Sequence, residues 1–169
     1  MRVLKTQSGF TLLELMITLA IAALLAVFAM DDLQNLLPRT RTKSAARQLR
    51  GDLQKAKLTA VKRNTECLVD FTVAAGANSG MCRTCISTDN DCNDPGDEII
   101  TELNFNDYSN VELQSASFSG SPQFVFNARG ISEQVGGGIS PGSAVINCTS
   151  DAQYSFTLWL SSTGRVRIE

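Results

Sequence analysis

Histidine is absent from this chain of 169 residues. That gap removes the commonest general base, the Ser-His and Cys-His pairings, and most zinc chemistry. No glycine-rich loop stands ahead of a helix to cradle phosphate. The run Gly136-Gly137-Gly138 falls in a β-rich loop, where flexibility accounts for it. No nucleophile has an identifiable base beside it. An enzymatic reading is left without parts, so neither a catalytic residue nor a cofactor is expected. Positive charge is scarce in the larger part of the chain, where residues 64–169 hold four Arg against 13 Asp and Glu. Long apolar runs are missing too, except at the start.

What is present divides the chain into a greasy head, a basic neck and an acidic body. Residues 39–63 carry nine Lys and Arg against one acid, Asp52, so the net charge of −2 hides a sharp asymmetry. The size suits one modest domain with an N-terminal appendage. From Phe10 to Met30 run 21 residues whose only charge is Glu14. That is the length of about 20 residues a helix needs to cross a bilayer. A carboxylate there costs about 2.5–3.5 kcal/mol on the lenient insertion scales. A cleaved secretory signal fits poorly, because the run is long and interrupted early by an acid, although Ala20, Ala22, Ala26 and Ala29 imitate a cleavage region. A plain anchor fits better, with Arg2 and Lys5 holding the N-terminus in the cytoplasm. It leaves Glu14 unexplained.

A third reading uses every residue. A short basic leader, then Gly9, Phe10, Thr11, two Leu and Glu14, then unbroken apolar sequence, resembles the class III signal of type IV prepilins and type II secretion pseudopilins. The resemblance implies that a prepilin peptidase cuts between Gly9 and Phe10 and methylates the new amine of Phe10. Residues 1–9 are then a leader and 10–30 a transmembrane and assembly helix. Glu14 lies one turn from the Phe10 amine, at i, i+4. A carboxylate in low dielectric is tolerated when paired, with its own amine or with that of a neighbouring subunit. Glu14 is thus expected to act in assembly.

Beyond Met30, residues 31–64 read as a basic amphipathic helix. Ala45, Leu49, Leu53, Ala56 and Ala60 recur at steps of three and four, with Arg39, Lys43, Arg47 and Arg50 on another face. The basic stripe reads as a solvated face or one meeting acidic neighbours, with a nucleic-acid or lipid-headgroup surface as the alternative. Pro38 is expected to kink or interrupt the helix. From residue 65 the period becomes two. The segments 67–73, 98–105, 111–118, 123–127, 143–148, 154–160 and 165–168 read as about seven short antiparallel strands. The whole is an α+β architecture, a long helix packed on an antiparallel head over 65–169, as in the pilin fold. The helix end at 53–65, the segment FVFNARG (124–130) and the closing SSTGRVRI (161–168) are similar to the GspH/FimT/FimU group of minor pilins and pseudopilins.

Cys67, Cys82, Cys85, Cys92 and Cys148 all follow the apolar run, so export would place them where disulfides form. Cys82, Cys85 and Cys92 suggest a stapled surface loop, with a CxxC redox pair or a poor zinc site as alternatives. The pairing stays open, and an odd number leaves one thiol free or intersubunit. Asp89, Asp91, Asp94 and Asp97 make a weak calcium candidate that fails the EF-hand template, so no metal is expected. Arg165 and Arg167 share one face of a terminal strand. In related minor pilins such a motif in an exposed tail binds DNA during natural transformation. The alternative is a charged edge strand that resists unwanted pairing. The chain after Gly9 has 13 Lys and Arg against 17 Asp and Glu, which disfavours DNA.

The resemblance implies a minor pilin that primes or caps a type IV pilus, or else a type II secretion pseudopilin. Its expected partners are major and minor pilins, prepilin peptidase, an inner-membrane assembly platform, the lipid bilayer before assembly and, in one version, DNA. The expected location is a single pass of the inner membrane with a periplasmic head.

Overall fold

The structure, a computed structural model, describes residues 10–87, 90–94, 96–151 and 153–169, with backbone alone at 27–35. It forms two units, one ending at Leu37 and the other Pro38–Glu169. The first unit carries the opening part of helix α1 (Leu12–Arg63). Thr11 caps it. The Glu14 N–H donates to Thr11 Oγ1 at 3.2 Å and the Leu15 N–H to the Thr11 carbonyl at 3.1 Å. Every residue from Phe10 to Ala26 is exposed. Among the described residues no helix is long and apolar enough to cross a membrane. The apolar run expected to span one, 10–30, continues into positions whose side chains lie outside the described residues.

In the second unit α1 carries on. Pro38, expected to kink or interrupt the helix, lies within it and does not interrupt it. Proline deletes one i→i−4 bond, a loss a long helix absorbs when the following turns are held by packing. Here they are held: Thr42, Ala45, Leu49, Leu53, Ala56 and Ala60 are fully buried. The Thr42 hydroxyl also donates back to the Pro38 carbonyl at 2.9 Å.

Among the described residues nine strands follow, all antiparallel: β1 (Cys67–Thr72), β2 (Met81–Ile86), β3 (Glu98–Asn104), β4 (Val111–Phe118), β5 (Gln123–Phe126), β6 (Ser132–Glu133), β7 (Gly142–Cys148), β8 (Ser155–Leu160) and β9 (Val166–Ile168). They form a five-stranded sheet, β3-β2-β1-β5-β6, and a four-stranded sheet, β4-β7-β8-β9. One core joins both sheets to the buried helix stripe. Its centre is aromatic: Phe118 lies 4.6 Å from Phe124 and 5.1 Å from Phe71 between ring centroids, and Phe126 meets Phe124 edge-on at 5.1 Å.

Two strands were not expected. β6 has two residues, too few to show a period. β2 carries Cys82 and Cys85, which had read as part of a surface loop. Instead β2 is an interior strand between β1 and β3. A register shift between Thr84 and Cys85 buries two successive residues, so the alternation that marks a strand is broken where the cysteines stand.

Candidate functional site

From Phe10 onward the N-terminal motif is exposed. Gly9 lies outside the described residues. Phe10 is 81% exposed, and the other large apolar side chains through Leu25 are each at least 52% exposed. So many uncovered apolar groups in one segment signal a partner or a lipid phase. Glu14 sits in the first turn, the third residue after its capping Thr11. A carboxylate there complements the positive end of the helix. Thr-x-x-Glu is also the capping-box spacing, a signal readable in the sequence and missed above.

Arg165 immediately precedes β9, an edge strand of the four-stranded sheet, and Arg167 lies within it. Both are exposed while Val166 between them is buried. Arg167 stands directly across from Trp159 of β8, which is 48% exposed. Sequence reasoning overlooked Trp159, although alternation with Leu158 and Leu160 already places it on the outer face. Arg167 pairs with Glu169 at 3.3 Å, and the Arg165 N–H donates to Ser161 Oγ at 3.1 Å.

The two C-terminal signature segments meet at one joint. Gly164 (φ +70°) lies against the Gly130 carbonyl, which a Cβ at Gly164 would approach to 2.3 Å. Lys57 of α1 closes the joint, its ammonium donating to the Thr163 and Gly164 carbonyls, each at 3.0 Å. The FVFNARG turn and the SSTGRVRI turn are therefore both shaped around one lysine. No spacing in the sequence singled it out.

The basic neck divides into engaged and free cations. Arg39 stacks on Tyr154, 3.7 Å from the ring centroid, and faces Asp151 at 3.9 Å. Arg63 pairs with Glu98. Lys55 donates to the Ile100 carbonyl at 3.1 Å. Lys43, Arg47 and Arg50 make no ion pair among the described residues. They border a groove of about 270 Å³ floored by Ala46, Phe156 and Ile168.

Of the cysteines, Cys85 and Cys92 are joined by a disulfide, and Cys67, Cys82 and Cys148, expected as partners, are free and buried. Cys82 and Cys85 point into different clusters. Cys82 joins the main core, while Cys85 and Cys92 pack with Leu68 and Val125 on the opposite side of the sheet. That excludes a CxxC pair. Burial pushes the Cys67 thiol up to about 12 and raises that of Cys82 as well. Both are inert hydrophobes. Burial also pushes the Cys148 thiol up, but hydrogen bonds from Ser150, Asp151 and Thr42 outweigh it and leave the group below its ordinary value.

Among the described residues no group of three or more potential ligands could hold a metal. Asp89 lies outside them. Asp91 accepts from the Asn93 N–H at 3.1 Å, and Asp97 accepts from the Asp94 N–H at 3.1 Å. These carboxylates shape turns.

Comparison with known proteins adds the following. Residues 45–164 match the family described as type II transport protein GspH, and residues 4–30 match the prokaryotic N-terminal methylation motif. No curated protein matches the chain in sequence. The type IV minor pilin FimU of Pseudomonas aeruginosa is similar over 75% of this chain and 91% of its own, with a TM-score of 0.50 and 14% identity. The minor pseudopilin EpsH from the type 2 secretion system of Vibrio cholerae is similar over 76% of this chain and 96% of its own, with a TM-score of 0.56 and 12% identity. At these identities the likeness is one of fold.

Proposed function

The chain belongs to the GspH family, a family of pilin-like structural subunits rather than enzymes, and from that premise we propose that it is a minor pilin priming or capping a type IV pilus. Prepilin peptidase cleaves it between Gly9 and Phe10 and methylates Phe10. Before assembly it is anchored by one pass of the inner membrane with its head in the periplasm. It then joins other major and minor pilins on the assembly platform, where Glu14 pairs with a terminal amine. The observation that carries this reading is the uncovered apolar segment from Phe10 to Leu25 with its one carboxylate, Glu14. Among the described residues nothing buries those side chains. Mass spectrometry of the N-terminus, from membranes and from sheared filaments, tests it. The expected product begins at methylated Phe10, and a chain beginning at Met1 or cut among the alanines overturns the proposal. Glu14→Ala should still insert and be processed yet assemble poorly.

A pseudopilin of type II secretion is the second reading, favoured by the likeness to EpsH. Deleting the gene and measuring pilus number and secreted protein side by side separates the two. A DNA-binding role rests on Arg165 and Arg167 standing exposed beside Trp159, an arrangement suited to phosphate contact and base stacking. Two phosphate contacts give a log–log salt slope of about −1.8 on duplex DNA. A DNA shift unchanged in Arg165→Ala/Arg167→Ala, or no shift at low salt, removes that role.

A further inference from the structure

The groove beside β9 combines three features. The first is an open strand edge. In β9, residues 165, 167 and 169 turn their backbone groups toward β8, as the Ser161–Arg165 and Thr157–Glu169 bonds show. By antiparallel alternation Val166 and Ile168 direct their N–H and C=O groups the other way, where no further strand pairs among the described residues. The second is an apolar floor, formed by Ala46, Phe156 and Ile168. The third is charge on both faces of that edge. Lys43, Arg47 and Arg50 border the helix side, and Arg165 and Arg167 stand on the solvent side. Glu169 is the one acid at the groove, and its carboxylate is already held by Arg167 at 3.3 Å.

We infer that this edge and groove receive an extended acidic segment of a neighbouring protein subunit, which adds as a strand beside β9. An added strand presents its side chains alternately to the two faces, so acids on either face meet cations and an apolar residue meets the floor. Free backbone donors and acceptors in strand register are complementary to a polypeptide. A nucleic acid supplies neither that ladder nor an apolar side chain for Phe156 and Ile168. The bodies of pilin-like subunits can be acidic, as this chain's own residues 64–169 are, with 13 Asp and Glu against four Arg. The identity of the occupant as a subunit rests on the assembly reading above. The binding does not, so it is measured on the purified chain, apart from processing and filament assays.

The test uses the full chain in detergent and a fluorescent peptide of alternating Glu and Val, about eight residues long, a strand's length. Saturable binding is expected, weakened about tenfold or more by Arg47→Glu/Arg50→Glu and by Ile168→Pro. Proline is tolerated on an edge strand where its missing N–H faced outward, and an unchanged melting temperature verifies that Ile168→Pro is folded. The matching Lys-Val peptide should not bind. Failure of the Glu-Val peptide to bind overturns the inference, as does binding that survives both variants. So does duplex DNA that displaces the peptide and depends on Arg165 and Arg167 alone, which would assign the edge to DNA.

Discussion

The two parts of helix α1 use apolar residues in opposite ways. From Leu12 to Ala26 the helix is apolar almost all round and every residue is exposed. From Thr42 to Ala60 the apolar residues other than the exposed Leu58 keep to one stripe, and that stripe is fully buried by the chain's own sheets. A helix face is buried where a complementary surface exists. A stripe announces a partner on one side, inside the same chain, whereas an all-round apolar surface announces surroundings supplied by something else. The small residues Ala45, Ala46, Ala56 and Ala60 sharpen the difference. They let the helix backbone approach the sheets closely, while Leu12, Leu15, Leu19 and Leu24 extend large side chains that stay exposed among the described residues.

The largest expected effect tests that contrast directly. Leu53→Ala removes a fully buried side chain and should destabilise the head by about 2–5 kcal/mol, read as a lowered thermal or denaturant midpoint. Leu19→Ala, at 62% exposure, should leave that midpoint unchanged. Its effect should appear in filament assembly. If Leu19→Ala melts the head, or Leu53→Ala does not, the division of labour within α1 is wrong.

How legible this was depended on what kind of order each residue obeyed. The buried stripe from Ala45 to Ala60 was readable because a helix imposes one period on it. The strands with clean alternation were readable for the same reason. β2 was not: its register shift at Thr84/Cys85 destroys the alternation, and two cysteines at CxxC spacing pointed toward a loop. Pro38 does not end the helix, because its local preference is weaker than the packing of the turns that follow. The Cys85–Cys92 link could not be picked from five cysteines, since pairing depends on which face of the sheet each occupies. At the N-terminus, the residues from Gly9 to Glu14 carried their meaning by resemblance, which drew attention away from the Thr11-x-x-Glu14 spacing that announces the cap.

A second contrast concerns the cations of the neck. Lys57 is tied to the Thr163 and Gly164 carbonyls, and Lys43 has no such tie. Lys57→Met should lower stability by about 1–3 kcal/mol, because two carbonyls lose a charged donor. Lys43→Met should change stability by no more than about 0.5 kcal/mol. Gly164→Ala should resemble the Lys57 variant, since a Cβ would press on the Gly130 carbonyl at a φ that side chains rarely adopt. Denaturant midpoints of the three variants check the order. Equal loss from Lys57→Met and Lys43→Met would show that the joint at Gly130 and Gly164 does not depend on the lysine.

The smallest effect concerns the one acid on the buried face. Asp52 lies between Leu49 and Ala56 on the stripe and is 7% exposed. Burial raises its carboxyl above the usual value, and the Gln48 amide and the Lys55 charge offset this only in part. A carboxyl raised on folding favours the native state most below its unfolded-state pKa, and that contribution is lost as pH rises through the folded-state value. At neutral pH the native head therefore carries a penalty that an amide would not. Asp52→Asn should leave stability near wild type in acid and gain up to about 1 kcal/mol by neutral pH. The difference should open through the carboxylate range and then level off. Melting curves of both proteins across that range decide it. A variant less stable at neutral pH would mean that the Asp52 carboxylate holds Gln48 and Lys55 more firmly than burial opposes it.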